Sequence, residues 1–319
     1  MKQHLAEPVL AEMTLPVIAA PMFLVSSPQL VIEACKGGII GSFPLLNART
    51  NEVLIEWIEQ IKQELAVAKE KDPERKIAPW AVNFISHRTN KRYDVDLELI
   101  KQYQPPIVIT SLGHPGNVVD IVHKYGGLVF SDVSNLKHAK KAAQTGVDGL
   151  ILVCGGAGGH AGTINPLAFM GAVKQFWDGI TILSGCISNG KDILAAKALG
   201  ADFAYMGTRF IATSESLAAD EYKKMLIDST LDDLIYTDAI SGVNANYLIP
   251  SLENRGIDPT KLEKKAEVDL SHMSDAKAWK HLWSAGQGVT TIEEITPIAD
   301  VIADLKQEYE DALSNICSK

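Results

Sequence analysis

The chain has 319 residues, of which 46% are hydrophobic, and this length and composition suit one large globular fold or two ordinary domains. Its formal net charge of −9 argues against nucleic acid as a partner, because proteins that bind the phosphate backbone usually display a basic surface. The sequence shows neither a signal-peptide pattern nor an apolar run of about 20 residues, so we expect a cytoplasmic protein with no membrane partner.

Short apolar runs that are predicted to be β-strands recur along the chain, and most are followed by an amphipathic segment of helical character. The runs are Val17–Met22, Gly38–Phe43, Trp80–Ile85, Ile107–Leu112, Leu128–Val133, Gly149–Val153, Thr181–Gly185 and Phe203–Met206. The helical segments include Asn51–Lys71, Asn117–Tyr125, Leu136–Thr145, Pro166–Phe176 and Lys191–Leu199. This alternation predicts an α/β fold, a closed (β/α)8 TIM barrel. An open doubly wound sheet is the alternative, but no G-x-G-x-x-G follows the first strand.

The pattern changes after Arg209 and Phe210. A helix is predicted over Glu215–Asp228, an irregular stretch follows to Asp269, and a second helix is predicted over Asp275–Trp283. Pro297–Ser314 is predicted to be the closing helix, with Thr296 as its cap and Pro297 at its first position. We therefore predict a small helical lobe over residues 214–290, inserted into a barrel formed by residues 1–213 and 291–319. The lobe would lie over the C-terminal face of the barrel.

A glycine-built loop, G-G-A-G-G-H-A-G over Gly155–Gly162, follows the sixth predicted strand. Glycine lets the backbone approach a flat ligand closely, and His160 is the only side chain in this loop suited to acid–base chemistry. A mobile turn that carries a solvated histidine is the alternative interpretation.

The carboxyl ends of the strands of such a barrel converge on one site. Strand one ends in Ala20-Pro21-Met22, and strand three carries Asn83. The loops after strands seven and eight offer backbone N–H groups, the hydroxyls of Ser184 and Thr208, and the start of a helix. Together these groups can cradle a phosphate, which predicts a phosphate-bearing cofactor.

Other polar side chains near the strand ends have no assigned role, namely His87, Thr110, Ser111 and His114. The four cysteines lie far apart without a C-x-x-C pair, so neither a zinc site nor a disulfide framework is predicted. No metal is expected at His160, because no companion ligand stands at a recognisable spacing.

Four sequence blocks, taken together, resemble the nitronate monooxygenase family, formerly called 2-nitropropane dioxygenases. The blocks are V-I-A-A-P-M, G-G-A-G-G-H-A-G, S-G-C-I-S-N-G-K with Y-M-G-T-R-F, and S-A-G-Q-G-V. The resemblance implies an FMN-dependent (β/α)8 barrel that oxidises alkyl nitronates, with nitroalkanes left open as further substrates, by dioxygen to a carbonyl compound and nitrite. Its partners would be a small-molecule substrate and dioxygen, and a monomer and a homodimer are both left open. The alternative is an NAD(P)H-dependent flavin reductase of the same superfamily, of the quinone reductase or enoyl-ACP reductase type.

The resemblance also implies roles for individual residues. Ala20, Pro21 and Met22 would lie against the isoalloxazine ring, and Asn83 would hydrogen-bond the flavin. His160 would face the reactive side of the ring as a base or as the residue that positions the substrate anion. The ribityl phosphate end would be held and covered by Gly158, Gly159, Gly185, Tyr205, Met206, Gly207, Thr208, Gln287 and Gly288.

The chain departs from the family pattern in three ways. Cys186 stands where the second of two adjacent glycines is usual, which predicts a small displacement of the backbone on the phosphate side. Many members carry glutamine where this chain has Val153-Cys154 and Tyr205. Residues 243–246, V-N-A-N, replace a segment with proline and arginine. These departures leave FMN binding as the expectation and the substrate open.

Overall fold

The computed structural model describes residues 5–87, 90–264 and 282–318, and its central feature is a closed barrel of parallel strands. The barrel strands are β1 Val17–Ala19, β2 Ile40–Pro44, β3 Ala81–Ile85, β4 Ile107–Ser111, β5 Leu128–Val133, β6 Gly149–Val153, β8 Ile180–Ser184 and β9 Phe203–Met206. Each pairs with the next along the chain, and β9 closes the ring by pairing with β1. The predicted (β/α)8 barrel is confirmed, and the predicted strand ends shift by a few residues at most.

Helices follow most of the strands, and several of them pack against the outside of the barrel. They are α1 Ala6–Ala11, α2 Pro28–Lys36, α3 Asn51–Lys71, α4 Tyr93–Tyr103, α5 Gly116–Lys124, α6 Leu136–Ala143, α7 Pro166–Val173, α8 Gly190–Ala198, α9 Thr208–Ile211, α10 Asp220–Asp228, α11 Ile249–Glu253 and α12 Ile298–Cys317. Several begin at a Ser, Thr or Asn whose side chain accepts a hydrogen bond from the first turn, as at Ser27, Thr50 and Asn189. Within the described residues, no helix combines the length and the apolar character needed to cross a membrane.

The barrel interior follows the two-residue period of its strands. Inward-facing side chains such as Ile18, Ile109 and Phe130 form one fully buried cluster, whereas the intervening residues pack against the helices. The last inward-facing position of each strand, or the residue just beyond it, forms the top layer of the interior. This layer consists of Ala20, Pro44, Asn83, Ser111, Asp132, Val153, Ser184 and Tyr205, and all eight side chains line one cavity at the carboxyl end of the barrel. The change from apolar to partly polar residues therefore marks the floor of a site.

The segment between the last barrel strand and α12 contains a small sheet as well as helices. Strands β10 Leu234–Thr237 and β11 Ala245–Leu248 pair with each other, and β11 also pairs with β7 Gly159–His160 from the loop after β6. The prediction of an irregular stretch here was wrong. All four residues of β11 are buried, so the strand lacks the alternation of polar and apolar residues that identifies a half-exposed strand.

Two predicted helices of this segment also differ from the structure. The helix predicted over Glu215–Asp228 begins at Asp220. Most of the helix predicted over Asp275–Trp283 lies outside the described residues, and its last two residues are not helical. The bounds of the lobe, residues 214–290, stay a prediction.

The closing helix α12 begins at Ile298 and is capped by a residue distant in sequence. The two carboxylate oxygens of Glu215 accept the N–H of Ile298, each at 3.1 Å. The prediction that Thr296 caps this helix was wrong, because Thr296 pairs with Thr213 as an isolated parallel bridge and Pro297 takes the N-cap position. Glu215 thus lies outside α10, which begins at Asp220.

Candidate active site

The cavity at the carboxyl end of the barrel has a volume of about 780 Å³. This volume lies within the range of about 300–1,000 Å³ that is usual for cofactor and ligand sites. Most of the residues predicted for the site line it, namely Ala20, Pro21, Met22, Asn83, Gly158, Gly159, His160, Gly185, Tyr205, Gly207, Thr208 and Gly288. The structure therefore brings residues from six distant parts of the chain to one site.

Two predicted residues do not line the cavity. Met206 is fully buried in the core, and only its carbonyl faces this region, where it accepts the N–H of Ala20 at 2.8 Å. Gln287 is exposed, and its backbone N–H donates to the carbonyl of Gly156 at 2.8 Å. Of the residues without an assigned role, His87, Ser111 and His114 line the cavity. The Thr110 hydroxyl instead donates to the carbonyl of Phe130 at 3.2 Å.

His160 is held on the cavity wall by the small sheet. It pairs with Ala245 of β11, and the next N–H along the chain, that of Ala161, donates to the carbonyl of Asn244 at 3.1 Å. On the other side of the histidine, the Asn246 amide donates to the carbonyl of Ala157 at 2.7 Å. The structure thus shows a bonded strand where the alternative interpretation expected an unpaired turn. The segment that departs from the family pattern, residues 243–246, supplies these bonds.

The glycine loop packs against the block around Gly286 so closely that no side chain fits between them. A Cβ on Gly158 would lie 2.8 Å from the backbone nitrogen of Gly286, and a Cβ on Gly286 would lie 2.9 Å from the carbonyl oxygen of Gly156. The N–H of Gly286 donates to the Thr208 hydroxyl at 2.8 Å. Three of the four sequence blocks therefore meet at one end of the cavity.

Cys186 adopts the backbone conformation that a glycine would take at this position. Its φ is +60°, and that of the preceding Gly185 is +113°, so the loop keeps a tight turn despite the side chain. The Cys186 thiol lies 3.5 Å from the side-chain oxygen of Gln287. Burial, followed by the charge of Asp192, raises the pKa of this thiol. It is therefore a protonated thiol at neutral pH.

The start of a helix was predicted to donate backbone N–H groups to a phosphate, but two such groups at and just before the start of α8 have other partners. The N–H of Gly190 donates to the Glu308 carboxylate at 2.6 Å, and the N–H of Ser188 donates to Asp192 at 2.9 Å. These donors are already occupied by carboxylates. The helix after β9, Thr208–Ile211, is a single turn. The groups left to hold an anion are the loop backbone and the hydroxyls of Ser184, Ser188 and Thr208.

Asp132 also lies on the floor of the cavity, and the sequence analysis did not identify it. The Asn83 amide donates to the Ser111 hydroxyl at 2.7 Å, and the Ser111 hydroxyl donates to Asp132 Oδ2 at 2.5 Å. Burial raises the pKa of Asp132 to about 6, although the hydrogen bond from Ser111 opposes this shift. The sequence contains one clue, since Asp132 follows Leu128 and Phe130 at intervals of two residues.

Among the described residues, no group of three His, Cys, Asp or Glu side chains is arranged to hold a metal ion.

The glycine loop allows a test with a matched pair of variants. We expect Gly156→Ala to lower the free energy of unfolding by about 2–4 kcal/mol, because its Cβ would lie 2.1 Å from Cys186 Sγ at a φ of +89°. Gly159 has a φ of +66°, but no atom lies within 4 Å of a Cβ added there. For Gly159→Ala we therefore expect the free energy of unfolding to fall by about 1 kcal/mol. Urea denaturation measures both changes. Equal losses would show that contact with Cys186 does not constrain the loop.

The sequence profile of nitronate monooxygenases matches residues 7–308. The chain belongs to the nitronate monooxygenase family. A nitronate monooxygenase of Paraburkholderia phytofirmans is 26% identical, and the alignment covers 94% of each chain. The resemblance seen in the sequence blocks is confirmed.

Solved structures show the same fold. A nitroalkane oxidase from Streptomyces ansochromogenes superposes with a TM-score of 0.80 at 22% identity, covering 97% of this chain and 99% of that one. FabK from Thermotoga maritima superposes with a TM-score of 0.78 at 22% identity, covering 100% and 99%. Membership of the nitronate monooxygenase family makes this chain an oxidoreductase of the flavin-dependent type that acts on small molecules.

Proposed function

We propose that the chain binds FMN in the cavity and oxidises alkyl nitronates with dioxygen to a carbonyl compound and nitrite. The observation that carries this proposal is the position of His160, which is half-buried on the cavity wall, within the glycine-built loop and fixed there by its pairing in the small sheet. When bound, the flavin supplies the electron transfer between substrate and dioxygen. The protein supplies placement, a proton acceptor and a partly enclosed site.

The residues present fit FMN in three respects. The turn at Gly185 and Cys186, together with the Ser184, Ser188 and Thr208 hydroxyls, offers donors for a phosphate at one end of the cavity. Ala20-Pro21-Met22 offers an apolar surface for a flat ring. Gly207 lies beside this surface, since a Cβ added to Gly207 would lie 3.7 Å from Ala20 Cβ. Space for both a ring and a phosphate is thus kept by glycines.

Asn83 can recognise only a hydrogen-bond donor. Its amide nitrogen donates to the carbonyl of Ile109 at 3.2 Å and to the Ser111 hydroxyl at 2.7 Å, which uses both N–H groups. Its Oδ1 accepts no hydrogen bond from the described residues and remains the group that can meet a ligand. A ring N–H, such as the imide N–H of a flavin, is the matching partner.

His160 would act on the substrate. A neutral imidazole can take the proton from the carbon next to a nitro group, and it can hydrogen-bond the oxygens of a nitronate anion. The lobe side chains Tyr222, Val243 and Trp283 also line the cavity, and the rings of Tyr222 and Trp283 stack with centroids 5.0 Å apart. We infer that these side chains contact the substrate and exclude water from it.

The test is anaerobic reduction of the purified holoprotein, with the released flavin identified by chromatography. Reduction of the flavin band by propionate-3-nitronate alone, with FMN as the released flavin, is the expected result. Rapid bleaching by NADH or NADPH alone, with no response to nitronate, would instead establish the flavin reductase alternative. Release of FAD, or of no flavin, would overturn the cofactor assignment.

A further inference from the structure

Asp132 is a carboxyl group in an unusual position, at the floor of the cavity. It is the last inward-facing residue of β5, and it sits above the fully buried ring of Phe130. Its Oδ1 is fully buried and has no hydrogen-bond partner in the described part of the chain. A buried polar atom without a partner costs free energy, and such atoms are uncommon in folded proteins. A molecule bound in the cavity, which Asp132 lines, can supply the missing partner.

The hydrogen bonds around Asp132 run in one direction. Asn83 donates to Ser111, and Ser111 uses its single hydroxyl hydrogen to donate to Asp132 Oδ2. Because Oδ2 already accepts a hydrogen bond from Ser111, we place the acid proton of a neutral Asp132 on Oδ1, in a side chain that lines the cavity. The floor then presents an acceptor at Asn83 Oδ1 and, two strands away, a donor at Asp132 Oδ1.

We propose that Asp132 is a flavin-binding residue that donates a hydrogen bond in its neutral form to a carbonyl or ring nitrogen of the flavin, while Asn83 accepts the neighbouring imide N–H. The uracil-like edge of a flavin carries a donor flanked by acceptors, which complements this pair of floor groups. The inference rests on the proposed function, because it takes FMN as the ligand. It adds a residue that none of the four family-like sequence blocks contains.

Other titratable groups face the same space, and none provides the missing proton to Oδ1 through a hydrogen bond in the structure. Tyr205 of β9 lies near Asp132. Burial, followed by the charge of Asp132, raises the pKa of the Tyr205 hydroxyl. The remaining titratable side chains of the cavity wall are His87, His114, His138, Lys141, His160, Cys186 and Tyr222.

The proposal predicts a dependence of FMN affinity on pH. Burial places the pKa of Asp132 in the unliganded protein at about 6, so the neutral acid predominates below this pH and the carboxylate above it. If the complex requires the neutral acid, binding takes up one proton above pH 6, and the affinity falls by about tenfold per pH unit there. Below pH 6 the contribution of Asp132 is fully present.

The experiment is a fluorescence titration of the flavin-free protein with FMN between about pH 5 and pH 8, for the wild type and Asp132→Asn. Asparagine keeps the shape and an N–H donor but does not titrate. We expect similar affinities at the acid end and an advantage for Asp132→Asn that grows by about tenfold per pH unit above pH 6. Protonation of the FMN phosphate affects both proteins equally, so it cancels in the ratio of the two dissociation constants.

Ser111→Ala is a second variant that tests the proposal even if the Asp132→Asn protein does not fold. It removes the hydrogen bond that lowers the pKa of Asp132, so we expect the pH at which affinity begins to fall to move upward. A constant ratio between wild type and Asp132→Asn at every pH, or no shift in Ser111→Ala, would overturn the role of Asp132 while leaving FMN binding intact. Absence of FMN binding by the wild type at any pH would instead overturn the proposed function, and this inference with it.

Discussion

Replacing His160 with alanine is expected to lower kcat/KM for a neutral nitroalkane by about 100-fold or more, which is the usual contribution of a general base. The same variant should lose about tenfold with the preformed nitronate, which has already given up its proton and loses only a hydrogen bond to a charged group. Comparison of the two substrates therefore separates proton abstraction from anion positioning. Initial rates of nitrite release measure both, with the flavin content of each sample determined from its visible spectrum.

His114→Ala is the matched control for His160→Ala. His114 also lines the cavity, but its Nδ1 accepts the N–H of Gly116 at 3.3 Å, and the residue belongs to a loop outside the small sheet. We expect kcat/KM to change by less than about threefold for either substrate. Equal losses in the two histidine variants, or a His160→Ala protein as active as the wild type on nitroalkanes, would contradict the assignment of the base.

Gly190→Ala is expected to destabilise the fold by forcing two packed helices apart. A Cβ on Gly190 would lie 2.3 Å from the backbone nitrogen of Tyr309 and 2.5 Å from the carbonyl oxygen of Leu305, both in α12. Backbone atoms cannot rotate away as a side chain can, so α8 and α12 must separate, and the hydrogen bond from Gly190 to Glu308 is strained or lost. We expect a loss of about 3 kcal/mol in the free energy of unfolding, measured by urea denaturation.

Gly171→Ala is the control for this substitution, because it places the same methyl group on a helix that leaves room for it. Gly171 lies within α7, is exposed, and has no atom within 4 Å of a built Cβ. Alanine loses less conformational entropy than glycine on folding, so this variant should gain about 0.5–1 kcal/mol. If Gly190→Ala were as stable as the wild type, the close contact between α8 and α12 would not restrict residue 190 to glycine.

Sequence patterns were sufficient to predict the barrel because its strands are buried on both sides. A buried strand is a short apolar run bounded by turn residues, and Leu128–Val133 and Gly149–Val153 were predicted with the ends that the structure shows. The candidate site followed from the same argument, since strand ends such as those at Asn83 and Tyr205 converge in any barrel.

The features that the sequence did not reveal depend on contacts between distant residues. Strand β11 contains Asn246, a buried polar residue whose amide is satisfied only by the carbonyl of Ala157, far away in sequence. The cap of α12 comes from Glu215 rather than from the adjacent Thr296. The importance of Asp132 is visible only once Ser111 and Asn83 lie beside it, because a lone aspartate at a strand end is a common occurrence. Local patterns cannot encode such pairings.

The pairing of β7 with β11 has a consequence for how this enzyme can diversify. The bonds that fix the backbone around His160 run largely from main chain to main chain, and such bonds are indifferent to the side chains on either strand. Val243, which lines the cavity beside this pairing, can therefore be exchanged without moving the backbone that holds His160. Deletion of the lobe would have the opposite outcome, since it would remove the strand that fixes the backbone around His160.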